Sequence, residues 1–124
     1  MTQNHELTPQ ALELIALRFK LLGDPMRLTL LHALQNGEKS VSQLAEETHS
    51  SQPNISKHLS VLRNAGLVKR RQASNQAFFS IGAPFVFDLC RIVCDGISNE
   101  LSDLSNAFKM PPSSFNSHRP TIDD

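Results

Sequence analysis

The stretch SQPNISKHLSVLRNAG, residues 51–66, decides the fold. Ser51 is a helix N-cap, Pro53 falls in the first turn, and Gly66 is a stop. Between them Ile55, Leu59 and Leu62 recur at 4-3 spacing, one apolar stripe that faces a core. The other face carries Gln52, Asn54, Ser56, Lys57, Ser60 and Arg63. An ordinary amphipathic helix accounts for the stripe alone. Amide, hydroxyl and basic side chains in the early turns also match the donors and acceptors of base edges in the major groove of DNA. The free amides and positive dipole end of the helix suit a phosphate.

Working outward, Ser40 and Gln43 have the capping-box spacing, and Val41, Leu44 and Ala45 point inward. They predict a short helix over residues 41–47, joined to the next by the polar residues Thr48 to Ser51. Further upstream, Thr8-Pro9 and Asp24-Pro25 are each a cap followed by a first-turn proline. Leu12, Ile15, Phe19 and Leu22 make the stripe of a first helix, ended by Gly23. Met26, Leu28, Leu30, Leu31 and Leu34 fill a second, ended by Asn36-Gly37. Downstream, residues 67–72 and 77–81 predict two short strands turning around Ala73, Ser74, Asn75 and Gln76, a turn that lacks glycine. A long helix follows Gly82, Ala83 and Pro84. Val86, Cys90, Val93, Ile97, Leu101, Leu104 and Phe108 form its stripe, and Met110-Pro111-Pro112 stops it.

The expected fold is therefore mainly α with a small β-hairpin wing, a winged helix-turn-helix over residues 8–109. Residues 1–7 are expected to be a flexible N-terminus and 110–124 a disordered tail. The last helix has more apolar stripe than a chain of 124 residues can cover alone. Packing against a second copy, with the first helix alongside, would bury it; the alternative is that the helix lies across its own domain. A two-fold homodimer then sets two reading helices ~34 Å apart, one DNA turn.

Composition narrows the function. Twelve Lys and Arg balance twelve Asp and Glu, so the chain is formally neutral. The balance is uneven along it. Between Glu47 and Asp88 there is no acid, while Lys57, Arg63, Lys69, Arg70 and Arg71 all lie there. A local positive field on a neutral protein suits a phosphate backbone, although a solvated basic face gives the same pattern. Lys69, Arg70 and Arg71 fall on the first strand of the hairpin, where a wing lies along DNA. No apolar run approaches the ~18 residues of a membrane span, and the start MTQNHELTPQ has no secretion-signal pattern. With two cysteines and no disulfide framework, a cytoplasmic location is expected. Seven Phe without Trp or Tyr disfavour a sugar- or peptide-binding surface. No Ser-His-Asp arrangement, Gly-rich phosphate loop or paired-carboxylate pocket is present, so no enzymatic activity is expected. Asn54-Ile55-Ser56 matches a glycosylation acceptor by chance. His5, His49 and His118 have no second ligand at useful spacing.

From about Phe19 to Ile81 the chain resembles the ArsR/SmtB-type winged-helix transcriptional repressors. The stretches that carry the likeness are FKLLGDPMRLTLLHALQNGEKSVSQLAEET and SSQPNISKHLSVLRNAGLVKRRQASNQAFFSI. The resemblance implies a homodimer through the first and last helices, binding double-stranded DNA at a palindromic operator. It implies Gln52, Asn54, Ser56, Lys57 and His58 as the DNA-reading helix and Arg70, Arg71 and Asn75 as the wing. His58 carries less weight, because the family's histidine there often ties the helix to its own domain. A small inducer acting through the last helix is implied as well.

The family's sensor sites are mostly missing. Ser40-Val41-Ser42 stands where a thiolate sensor has Cys-Val-Cys, and serine is a poor ligand for soft metals. The zinc-sensing positions fall near Ala83, Phe85, Asp95 and Ser98, leaving one carboxylate and no imidazole. His32 occupies the second-helix place of a persulfide-type cysteine. What remains is Cys90 and Cys94, four apart and so on one helix face. They suit packing as small apolar residues, thiol or redox sensing, or a soft metal ion or arsenite shared between subunits. A bond between them within one helix would be strained. The rival to a repressor is a winged-helix protein–protein interaction module whose basic face is incidental.

Overall fold

Four side chains start four helices. In the structure, a computed structural model that describes residues 6–108, Thr8 Oγ1 accepts from the Ala11 amide at 3.1 Å and begins α1 (Pro9–Leu22). Asp24 Oδ1 accepts from Met26 and Arg27 and begins α2 (Pro25–Ala33). Ser40 and Gln43 form the reciprocal capping box of α3 (Val41–Thr48). Ser51 Oγ accepts from the Asn54 amide and begins α4 (Gln52–Asn64). Each such cap satisfies an amide the helix cannot, at a typical value of ~1 kcal/mol. The expectations for residues 1–5 and 109–124, and for His5 and His118, lie outside the described residues.

Three strands complete this first unit, which ends at Gly82: β1 (Lys39–Ser40), β2 (Val68–Ala73) and β3 (Gln76–Ile81). The sheet is antiparallel throughout, in the order β1-β3-β2. The hairpin is present at the expected place, and its turn needs no glycine because Ser74 takes the left-handed conformation, φ 55°. The sequence reading did not include β1. Two residues carry no alternation, and pairing of Lys39 with Phe79 and Ser40 with Phe78 is long-range.

The core of this unit lies where α2, α3 and α4 meet the sheet. Leu30, Leu31 and Leu34 of α2 and its cap, Leu44 of α3, and Ile55, Leu59 and Leu62 of α4 are buried with Leu67, Val68 and Phe79. Each such side chain contributes about 1.5–3 kcal/mol over an exposed one. The expected stripe of α4 is thus its buried face, which fixes the direction of its polar face. Gly66 ends α4 at φ +78°, with its amide on the Arg63 carbonyl and the Leu67 amide on that of Leu62, at 2.9 Å each. That is a Schellman turn, and it launches β2.

The stripe expected of α1 behaves differently. Leu22 is buried, but Leu12, Ile15 and Phe19 are exposed on the single chain, Phe19 by 57%. The second unit begins at Ala83 and contains α5 (Phe85–Phe108). Its 24 residues span ~36 Å. Val93, Ile97 and Leu104 of its expected stripe are exposed, as is Ile92. No helix among the described residues is long and apolar enough to cross a membrane.

Candidate nucleic-acid interface

The helix pair α3–α4 is joined by His49, Ser50 and Ser51, a turn of the length found in helix-turn-helix units. His49 ends α3 in the left-handed region, φ 56°, so the Ser50 amide reaches back to the Ala45 carbonyl at 3.0 Å. With the core side of α4 closed, its first turns present Gln52, Ser56 and Lys57 to solvent, each exposed and without a side-chain partner among the described residues. Asn54 is half-buried, and its Nδ2 donates to Ser50 Oγ at 2.8 Å. Part of its hydrogen-bonding capacity therefore braces the turn.

His58 is half-buried too. Its Nδ1 accepts from Arg27 Nε at 3.2 Å, and Arg27 Nη1 donates to the Leu21 carbonyl at 3.3 Å. Arg27 thereby ties the end of α1 and the start of α2 to the middle of α4.

The hairpin sorts its cations by face. Partners across an antiparallel ladder lie on one side of the sheet. Arg70 faces Phe79, the buried side, while Lys69 and Arg71 share the other side with Ser80 and Phe78. Arg71 is paired with Glu38 through two hydrogen bonds, and its guanidinium lies 5.1 Å from the centroid of the Phe78 ring. Its charge is matched by a carboxylate that the Arg71 hydrogen bond holds below its usual pKa range. Among the described residues Arg70 has only the neutral Gln72 as partner, at 2.7 Å. Lys57, Arg63 and Lys69 have none among the described residues. Asn75 is exposed at the hairpin tip.

A groove of about 220 Å³ runs between α4 and the hairpin. It is lined by Val41, Ser56, Ser60, Arg63, Arg70, Ala77 and Phe79. The structure thus brings together Ser56, Ser60, Arg63 and Arg70 from the expected set and turns Arg71 away from them. Sequence reasoning missed Glu38, Arg27 and Ser50, whose roles arise from contacts with other elements or a capped turn.

In the second unit Cys90 is half-buried and Cys94 exposed, and both are free thiols. Burial, with the neighbouring Cys94, raises the pKa of Cys90. Among the described residues of one chain, no three His, Cys, Asp or Glu side chains gather as a metal site.

Residues 24–70 match the model of the bacterial regulatory protein, arsR family. The crystal structure of Rv0081 from Mycobacterium tuberculosis superposes with a TM-score of 0.68 at 33% identity, over 77% of this chain and 96% of that one. A probable mercury resistance operon repressor of Streptomyces lividans is 39% identical over 57% of this chain and 57% of its own length. The homodimeric winged helix-turn-helix DNA-binding domain of Mb0332 from Mycobacterium bovis aligns with a TM-score of 0.65 at 26% identity, over 77% of this chain and 91% of that domain. The likeness is to regulators of transcription and not to enzymes. With its capped reading helix, three-stranded wing and these relatives, the chain belongs to the ArsR family of DNA-binding, winged helix-turn-helix transcriptional regulators.

Proposed function

We propose that the protein is a homodimeric repressor that occludes a palindromic operator and leaves it on a small-effector or thiol signal. The observation that carries the DNA reading is the sorting of charge. Of the five cations in the acid-free segment, Arg71 is neutralised by Glu38, whereas Lys57, Arg63, Lys69 and Arg70 have no carboxylate partner among the described residues. Unpaired cations are the ones available to phosphates. In this reading Gln52, Asn54, Ser56 and Lys57 meet base edges in the major groove. Ser60, Arg63, Lys69, Arg70 and Asn75 follow the backbone, and His58 and Arg71 hold the helix and wing in place.

The dimer is supported by the exposed apolar side chains of α1 and of α5, and by the homodimeric Mycobacterium bovis relative. Repression is supported by the name of the Streptomyces relative and needs no chemistry beyond blocking a promoter. A DNA target supports a cytoplasmic location. The effector reading rests on Cys90 and Cys94, two thiols one helical turn apart on each subunit, which suit an oxidant, a soft metal ion or arsenite.

Titrating labelled operator-like and random duplexes against salt tests the reading. A repressor loses affinity steeply as salt rises and prefers one sequence. An interaction module binds weakly and without preference.

A further inference from the structure

We infer that the groove between α4 and the wing is a subsite for a single phosphate group, held jointly by Arg63 and Arg70. The inference rests on the DNA-binding reading and specifies which backbone contact this site makes.

Three features meet there. Ser56, Ser60 and Arg63 lie one turn apart along α4, so they share a face. Arg70 reaches the same groove because its register partner Phe79 lies on the inner side of the sheet. No carboxylate lines it, and Arg63 has no partner among the described residues. Two planar guanidinium forks and two hydroxyls make a donor set for the oxygens of one tetrahedral anion. A second cleft, between α3 and the start of α4, is lined by Glu46 and has the wrong sign.

Position agrees with chemistry. Residues 52 and 63 are ~16 Å apart along the helix, more than the ~12 Å width of the major groove. A helix that reads bases with its first turns carries Arg63 out to the flanking backbone.

The test is a salt titration of operator binding with the full chain and with Arg63→Gln, Arg70→Gln and the double variant. Both side chains are exposed, so the melting temperature of each variant checks folding directly. Counterion release counts phosphates, not side chains, at a slope of ~0.9 per phosphate. If both arginines hold one phosphate, the dimer carries the subsite twice, so the double variant loses a slope of ~1.8 (~0.9 per half-site), and its affinity falls by less than the product of the single losses. Replacing operator phosphates one at a time by neutral methylphosphonates then weakens the wild type at one position in each half-site and leaves the double variant indifferent there. A slope loss of ~3.6 for the dimer with multiplicative affinity losses means two separate phosphates in each half-site and overturns the subsite. A double variant that binds DNA like the wild type overturns it as well. If the wild type itself shows no salt-dependent DNA binding, the DNA reading has failed and not merely the subsite.

Discussion

Arg71 of the wing is bonded to Glu38, the residue just before β1, by two hydrogen bonds from one guanidinium. The pair links the hairpin to the segment that leads into α3, and it removes Arg71 from the free cations. Arg71→Ala is therefore expected to lower operator affinity by about threefold or less, against on the order of tenfold for Arg70→Ala. Fluorescence anisotropy on one operator duplex compares them. The pair also has a pH signature. The Glu38 pKa is lowered, chiefly by the Arg71 hydrogen bond. Its stabilising effect is present above the usual carboxylate range and is lost as pH falls through the lowered value. The difference in melting temperature between wild type and Arg71→Ala should be flat near neutrality and shrink only in acid.

Gln52 and Asn54 should separate in their effects. Gln52 has no side-chain partner among the described residues, whereas Asn54 braces the turn through Ser50 at 2.8 Å. Gln52→Ala should relax base preference at one position by about 1–3 kcal/mol and leave the melting temperature unchanged. Asn54→Ala should lower both preference and stability, the latter by roughly 1 kcal/mol. A panel of single-base operator variants, read beside thermal melts, distinguishes the two. Unchanged preference in both variants would remove this turn from the reading surface.

His49 occupies the left-handed position that closes α3, φ 56°, and its side chain is exposed. A side chain there costs ~1–2 kcal/mol, partly offset because glycine loses more chain entropy on folding. His49→Gly is expected to stabilise the protein by roughly 0.5–1 kcal/mol with operator affinity intact. Denaturant melts read the change. A loss of stability would show that the imidazole itself contributes.

Most of the fold was legible because its signals are local. The caps Thr8, Asp24, Ser40 and Ser51, the stripe Ile55-Leu59-Leu62 and the stop at Gly66 all act within a few residues. The faces of Arg70 and Arg71 were not legible. They depend on register, which a one-residue slip would exchange, and on Glu38, 33 positions away. β1 escaped for the same reason, being a strand only by virtue of its partner. The stripe of α1 was correctly periodic, yet periodicity does not say whether the covering surface belongs to the same chain. Leu12, Ile15 and Phe19 are exposed on the single chain.

The two thiols should not react alike. Burial, together with Cys94, pushes the Cys90 pKa up, so less of it is thiolate near neutrality. Cys94 is exposed and should be alkylated first by iodoacetamide, with Cys90 following faster as pH rises above the usual thiol range. Peptide mass spectrometry on a time course gives both rates. If Cys90 only packs, the Cys90→Ser, Cys94→Ser double variant should keep its response to oxidant and arsenite. Loss of that response would make the pair a sensor.

Ile97 is half exposed near the middle of α5, among Val93, Leu101 and Leu104 of the same stripe. A second copy covering this stripe gains apolar burial at ~25 cal/mol per Å². A carboxylate placed inside that seam would have to be desolvated beside its two-fold mate, which opposes association twice over. Ile97→Asp is therefore expected to sediment as a monomer at micromolar concentration. Asn99→Asp, the same added charge on an exposed polar position of α5, should remain a dimer. The monomer should retain its helical circular dichroism and its weak binding to random DNA, because the reading helix is built by the first unit alone. Its preference for a palindromic site should collapse, since one half-site contact is lost per molecule. If Ile97→Asp stays dimeric, the α5 stripe is not the seam. If wild type is a monomer under the same conditions, each reading helix acts singly and the operator need not be palindromic.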